Sequence, residues 1–141
     1  MRIDLAVLGD YALVDKQDKL TVVGIFRTVA GSKLPFSHEP LFLALMMTVE
    51  PGDDPAHTIL VRLIDPDGRD IMPEIKADLE LHRQDPEKGS ALNFILEIRG
   101  AKFEVLGTHC FDIFVDDRFM ERVPLDVAIV KVTEAGPSAG K

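Results

Sequence analysis

Apolar and polar residues alternate with a period of two along most of the chain. In IMPEIKADLEL (71–81), Ile71, Ile75, Ala77, Leu79 and Leu81 fall on one face. Met72, Glu74, Lys76, Asp78 and Glu80 fall on the other. Such alternation predicts a strand with one face in the core and one in water. ALNFILEIRG (91–100) repeats the pattern, with Leu92, Phe94, Leu96 and Ile98 set against Asn93, Ile95, Glu97 and Arg99. By contrast LFLALMMTVE (41–50) and TILVRLID (58–65) are apolar at odd and even positions alike. That predicts central strands, or strands whose second face is also covered. RIDLAVLGDYALV and KLTVVGIFRTV (19–29) favour strand through their Val, Ile, Thr and Phe content.

Turn chemistry separates these runs. DKQDK (15–19), EPGDDPAH (50–57), DPDG (65–68), QDPEKGS (84–90) and VDDRF (115–119) interrupt them with Asp, Pro, Gly or Lys. Strands therefore recur every ten to fifteen residues or so, and no long 3.6-residue apolar stripe argues for βαβ units. The expectation is an all-β protein: a single-domain antiparallel β-sandwich of about eight strands over residues 1–132. TEAGPSAGK (133–141) is expected to be a flexible C-terminal tail. Gly9 and Gly24 interrupt apolar strands, which points to a bulge or a close backbone crossing. The lone tyrosine, Tyr11, is expected to bury its ring with the hydroxyl at the rim.

Composition narrows the partners. The chain has 141 residues, is 46% apolar, and carries a formal charge of −8 with no basic cluster. Its acidic residues repel a phosphate backbone and anionic headgroups, so nucleic acid and membrane surfaces are poor partners. Cys110 is the only cysteine and cannot form an intramolecular disulfide, which suits a reducing compartment. The N-terminal run fits neither a signal peptide nor a spanning helix, and the expected location is cytoplasmic.

Quoted in order, LGDYALVDKQDKLTVVGIF, LPF, LIDPDGRDIMP and GTHCFDIFVDDRFMERVPLDV resemble a family of small uncharacterised bacterial proteins. The family has an N-terminal Asp-Tyr-Ala segment, a Gly-Lys-Leu turn, a Gly-Ile-Phe strand and a C-terminal Gly-x-Tyr-x-Phe type hairpin. The resemblance covers most of residues 3–127 and implies an immunoglobulin-like sandwich with no assigned activity. Asp18 stands where the family's turn glycine would be, and His109 where its tyrosine would be.

The last of those segments, residues 107–127, is the most chemical in appearance. His109 and Cys110 are adjacent, so in a strand they point to opposite faces and cannot form a nucleophilic pair. A corner role bonded to backbone is expected of His109, and a small apolar filler of Cys110. A three-residue loop, Asp116 to Arg118, pairs Phe111 with Val123, His109 with Leu125 and Asp112 with Arg122. It also sets Phe114 across from Met120 on the outer face, and leaves Glu121 opposite Ile113 unless a bulge intervenes. Phe114 and Met120 are therefore the candidate interaction surface, unless a neighbouring segment such as AGSKLPFSHEP (30–40) covers them.

Other constellations do not assemble a site. DPDGRD lacks the spacing of a calcium loop, which needs an oxygen ligand fifth, Gly sixth and Glu twelfth. Asp65–Gly68 is expected to be a type I turn, and Asp112, Asp116, Asp117 and Asp126 to be solvated carboxylates. The four histidines are too far apart in sequence for a local zinc motif. No catalytic, cofactor or metal residue is assigned. The expected function is a non-catalytic protein-interaction or adaptor module, open to homodimerisation through its edge strands. Two alternatives stand beside it: a small-molecule or carbohydrate-binding sandwich, and an enzyme using carboxylates from distant strands.

Overall fold

The computed structural model describes residues 1–81 and 87–131. Strand is the only regular structure among them. β1 (Arg2–Val14), β2 (Leu20–Phe26), β3 (Thr28–Gly31), β4 (Phe36–Ser37), β5 (Leu41–Val49) and β6 (Ala56–Ile64) make the first half. β7 (Ile75–Glu80), β8 (Ser90–Ile98), β9 (Lys102–Phe103), β10 (Gly107–Val115) and β11 (Arg118–Ile129) complete it. Eleven strands replace the eight or so expected, because β3, β4 and β9 are too short to leave a periodic signal. His82 and the expected tail lie outside the described residues. No helix there is long and apolar enough to cross a membrane.

One sheet has the order β2-β1-β5-β8 and the other β3-β11-β10-β6-β7, with β4-β9 as a small third pair. All neighbours are antiparallel except β3, which runs parallel to β11. The order β6-β10-β11, facing β5-β8, matches the C-F-G and B-E orders of an immunoglobulin-type sandwich. Here β1 is interposed between β2 and β5. The core fills the space between the sheets. Leu41, Leu43, Leu45 and Met47 of β5 meet Ile59, Val61 and Leu63 of β6, Phe111 and Ile113 of β10, and Leu125 and Val127 of β11. The alternation in β8 is as expected, with Leu92, Phe94 and Leu96 packed on this core.

β5 is apolar on both faces because its second face is also covered. Phe42 and Ala44, on the outer side of the first sheet, form a separate core with Ala12. Val7, Leu20, Val22 and Ile95 pack against it. The far half of the β1–β2 hairpin supplies Ala12, Leu20 and Val22, so it folds back over that face. Its turn reaches as far as β8, where Asn93 Nδ2 donates to the Asp18 carbonyl over 2.8 Å.

The two strand glycines permit that bend. A Cβ on Gly9 would come within 2.5 Å of Val22 Cγ1. Gly24 has φ +67° and its missing Cβ would overlap the Asp10 carboxylate. At both positions the need is close approach within the hairpin, as the sequence suggested.

Beyond Phe26 the chain leaves the first sheet. Arg27 is the crossing point, and its carbonyl accepts a bond from Asp126 N over 2.8 Å as β3 joins β11. β2 therefore covers β1 only from Leu8 onward. The preceding residues of β1 face β11 across an open side of the sandwich.

Candidate functional site

The β10–β11 hairpin carries the residues singled out from sequence. Its register is as expected from His109–Leu125 through Phe111–Val123 and Asp112–Arg122 to Ile113–Glu121. At the tip it differs. The pairing slips by one residue, so Phe114 lies opposite Phe119 and Val115 opposite Arg118. Asp116 and Asp117 both have positive φ, 50° and 66°, making a two-residue type I′ turn. The bulge that corrects the register falls at Met120.

This overturns the Phe114–Met120 pair. Met120 is half-buried and packs against the main core. The exposed aromatic is Phe119, at 54% exposure, which meets Phe114 edge-on at 5.7 Å between centroids. The Arg122 guanidinium lies 5.9 Å from the Phe119 ring centroid. Nor does the 30–40 segment cover Phe114. Phe36 packs at a tilt on Phe103, which in turn meets His109, at the other end of β10.

His109 and Cys110 do point to opposite faces. His109 is fully buried, its Nδ1 donates to the Gly107 carbonyl over 3.1 Å, and its ring meets Phe103 edge-on. That is the corner role expected of it. Cys110 is partly exposed on the outer face, and burial is the main cause that pushes its thiol pKa up. A thiol shifted that way is a poor nucleophile at neutral pH.

The aspartates have separate partners. Asp112 is almost wholly buried and accepts from Arg122 Nε over 2.7 Å and Nη2 over 2.9 Å. Asp126 accepts from Thr108 Oγ1. Asp65 holds its own turn, with Oδ1 accepting from Asp67 N and Arg69 N at 2.9 Å each. Those backbone N–H groups, Arg69 first, pull its pKa below the usual carboxylate range. Among the described residues no three His, Cys, Asp or Glu side chains converge as a metal-binding group.

One pairing was not visible from sequence. His57 Nδ1 lies 2.6 Å from Asp116 Oδ2, while Asp116 Oδ1 accepts from Thr58 N over 2.9 Å. The Thr58 N–H first, then the His57 ring, hold Asp116 below its ordinary pKa. The pair ties the β10–β11 turn to the start of β6. It has no nucleophile beside it: the neighbouring Thr58 hydroxyl donates to Asp78. The β6–β10 register that creates the contact is non-local, so no spacing in the chain announces it.

A cluster of exposed apolar side chains lies elsewhere, on the β1–β2 hairpin. Tyr11 (51%), Val23 (54%) and Ile25 (60%) are more than half exposed, and Leu5 and Leu13 are exposed beside them. Tyr11 is directly opposite Val23, and Ile25 is opposite Gly9, so the exposed side chains are cross-strand neighbours. Tyr11 is thus not buried as expected; its ring meets Phe42 edge-on, 5.2 Å between centroids. From Ile25 the patch runs into the open side of the sandwich. There, a groove of about 420 Å³ is lined by Leu5, Ile25, Val123 and Pro124 together with the charged Asp4, Arg27, Glu121 and Arg122. The sequence did contain a signal for this surface. KLTVVGIF is apolar without strict alternation, as if both faces met apolar groups.

Fold and surface together define an immunoglobulin-like β-sandwich with a folded-over N-terminal hairpin and an uncharged edge strand. The chain belongs to a family of unknown function (DUF6941), whose model matches residues 4–128. No curated protein matches it. Among solved structures it is similar to an immunoglobulin-like protein from Pseudomonas aeruginosa, with 17% identity and a TM-score of 0.37. That match covers 89% of this chain and 94% of the other.

Proposed function

We propose that the protein is a non-catalytic interaction module that binds another polypeptide through the outer surface of the β1–β2 hairpin. One observation carries this reading: Tyr11, Val23 and Ile25 are each more than half exposed and adjoin one another across the two strands. Leu5 and Leu13 extend it, and contiguous apolar patches of about 300–600 Å², the largest that a monomer usually displays, are often functional. A standard protein interface covers about 800 Å² per partner, somewhat more than half of it apolar. A patch of that order supplies the apolar share of one such interface. Its charge of −8 and single, partly buried cysteine are in keeping with a protein partner in a reducing compartment such as the cytoplasm.

Site-specific photo-crosslinking in cells tests this. A photoreactive residue at Val23 is expected to give a discrete polypeptide adduct that disappears on adding Ile25→Asp. The same probe at Lys76 on β7 is expected to give none. Equal labelling at both positions, or no adduct at Val23, would overturn the reading.

The groove between β1 and β11 supports a second reading. Its apolar walls and the Arg27 guanidinium, which makes no ion pair among the described residues, suit a small apolar carboxylate. Saturable binding of a medium-chain fatty acid, lost in Arg27→Glu, would favour it over the protein partner.

A further inference from the structure

We infer that the polypeptide on this surface is a second copy of the chain, added antiparallel along β2 so that two four-stranded sheets join into one of eight. The inference rests on the reading above and names its partner.

It starts from how the sheet edges are guarded. A free strand edge is a template for pairing, and proteins blunt such edges with charges, prolines or short strands. Along β7, Lys76, Asp78 and Glu80 alternate with the core-facing residues and are exposed. β3 is only four residues long. On the free part of β11, Pro124 has no N–H, and the Arg122 N–H is capped by its neighbour's carboxylate, Glu121 Oε1, at 3.1 Å. β8 is crossed by the hairpin turn at Asn93. β2 carries no such charge, proline or cap, and its one irregularity is Gly24, at φ +67°. Leu20–Phe26 contains neither charge nor proline, and β1 is its sole strand partner among the described residues.

The edge is also self-complementary. A twofold axis through Val23 pairs the whole strand, setting Val23 against its own copy, Ile25 against Thr21 and Phe26 against Leu20. The exposed Val23 side chains then meet across the junction and Ile25 packs beside Thr21 of the other copy, so part of the patch is covered, with Tyr11 one strand back. The same register has one unfavourable feature, since it places Lys19 of each copy beside Arg27 of the other. Like charges opposed across strands repel. The net charge of −8 on each copy repels as well. This dimer should therefore tighten as salt rises, opposite to one held by ion pairs.

Sedimentation equilibrium on the full chain tests the inference. The expected result is a reversible monomer–dimer equilibrium in the micromolar range that tightens about ten-fold from low to high salt. Lys19→Glu, which converts the repelling contact into an attracting one at both ends, is expected to tighten it about five-fold at physiological salt. Val23→Asp is expected to leave a monomer with an unchanged circular dichroism spectrum. Should Val23→Asp impair folding, Val23→Cys in a Cys110→Ser background gives an independent readout. Mild oxidation is then expected to link it into a dimer, whereas Lys76→Cys in the same background stays monomeric.

A chain that is monomeric at every concentration and salt overturns the inference, as does a dimer that Lys19→Glu weakens. If such a monomer still gives a photo-adduct at Val23 with a polypeptide of different mass, self-pairing fails and the interaction module stands. If there is no adduct either, both fail.

Discussion

Truncating Phe42 to alanine reports whether the β1–β2 hairpin folds over the first sheet. Phe42 points to the outer side of β5, away from the main core, so on an uncovered sheet its ring would be in water. It is instead 5% exposed, in contact with Tyr11 and enclosed by Ala12 and Ala44 with Val7, Leu20, Val22 and Ile95 around them. Burying such a ring removes on the order of 150 Å² or more of apolar surface from water, worth about 4 kcal/mol at 25 cal/mol per Å². The site lies near the surface, and the hairpin can settle into the space vacated. We therefore place the cost of Phe42→Ala near the low end of the range for large-to-small core changes, about 3 kcal/mol. Urea denaturation should show this as a lower midpoint with an unchanged slope. For a slope of about 2 kcal/mol per M, the shift is about 1.5 M. Val22→Ala, which removes a neighbour from the other side of the same contact, should couple with it by about 0.5 kcal/mol or more in a double-mutant cycle. A cost below about 1 kcal/mol, the value for an exposed side chain, with no coupling to Val22 would refute the folded-over hairpin.

Three further outcomes follow from the geometry. Met120→Asp puts a charge among core side chains and should destabilise the fold by about 2–3 kcal/mol in urea titration, whereas Phe119→Asp should cost less than about 1 kcal/mol. The reverse order would restore the Phe114–Met120 pairing. The stability that Asp116 and Asp65 contribute should be lost as the pH drops below about 4. Asp116 and Asp65 have folded-state pKa values below their unfolded ones. Their contribution is therefore complete above the unfolded value and is lost on passing down through the folded one; Asp116→Asn should make the acid fall shallower, and a steeper fall would contradict the assignment. Gly24→Ala forces a β-carbon into a left-handed position against Asp10 and should cost about 1–2 kcal/mol, read as a lower thermal midpoint.

How far the structure could be read from the chain depends on whether a signal was local. Strand periodicity in 91–100 placed the inward residues of β8 correctly, because Leu92, Phe94 and Leu96 share one face and that face packs on the main core. The doubly apolar run at 41–50 correctly implied a covered second face. What covered it could not be read, since the cover is a hairpin some thirty residues upstream that bends at two glycines. The β10–β11 register was legible through Ile113–Glu121 because each apolar residue needs an inward position. The tip was not. Asp116-Asp117 lacks the glycine that usually marks a type I′ turn, and aspartate's tolerance of positive φ makes the same turn without it. The resulting one-residue slip moved the exposed aromatic from the expected pair to Phe119.

Legibility of the candidate surface follows the same division. Phe114 and Met120 were singled out because an apolar pair on a wet face is anomalous. On that hairpin the exposed position belongs to Phe119, because Met120 packs against the core. KLTVVGIF, read as an ordinary strand, carries the larger exposed patch. Exposure there depends on the crossing at Arg27, which ends β2 early and leaves its outer edge without a neighbour. The His57–Asp116 contact likewise depends on pairing between strands half the chain apart.

Hydrogen–deuterium exchange of the β2 amides, compared between dilute and concentrated protein, tests the central claim most directly. Along an unpartnered edge, alternate amides of Leu20–Phe26 point to solvent and exchange quickly. The account predicts that concentrating the protein slows exchange there by about ten-fold or more, while the β7 edge, Ile75–Glu80, is unchanged. Identical exchange along β2 at both concentrations, or protection that appears on β7 instead, would contradict it.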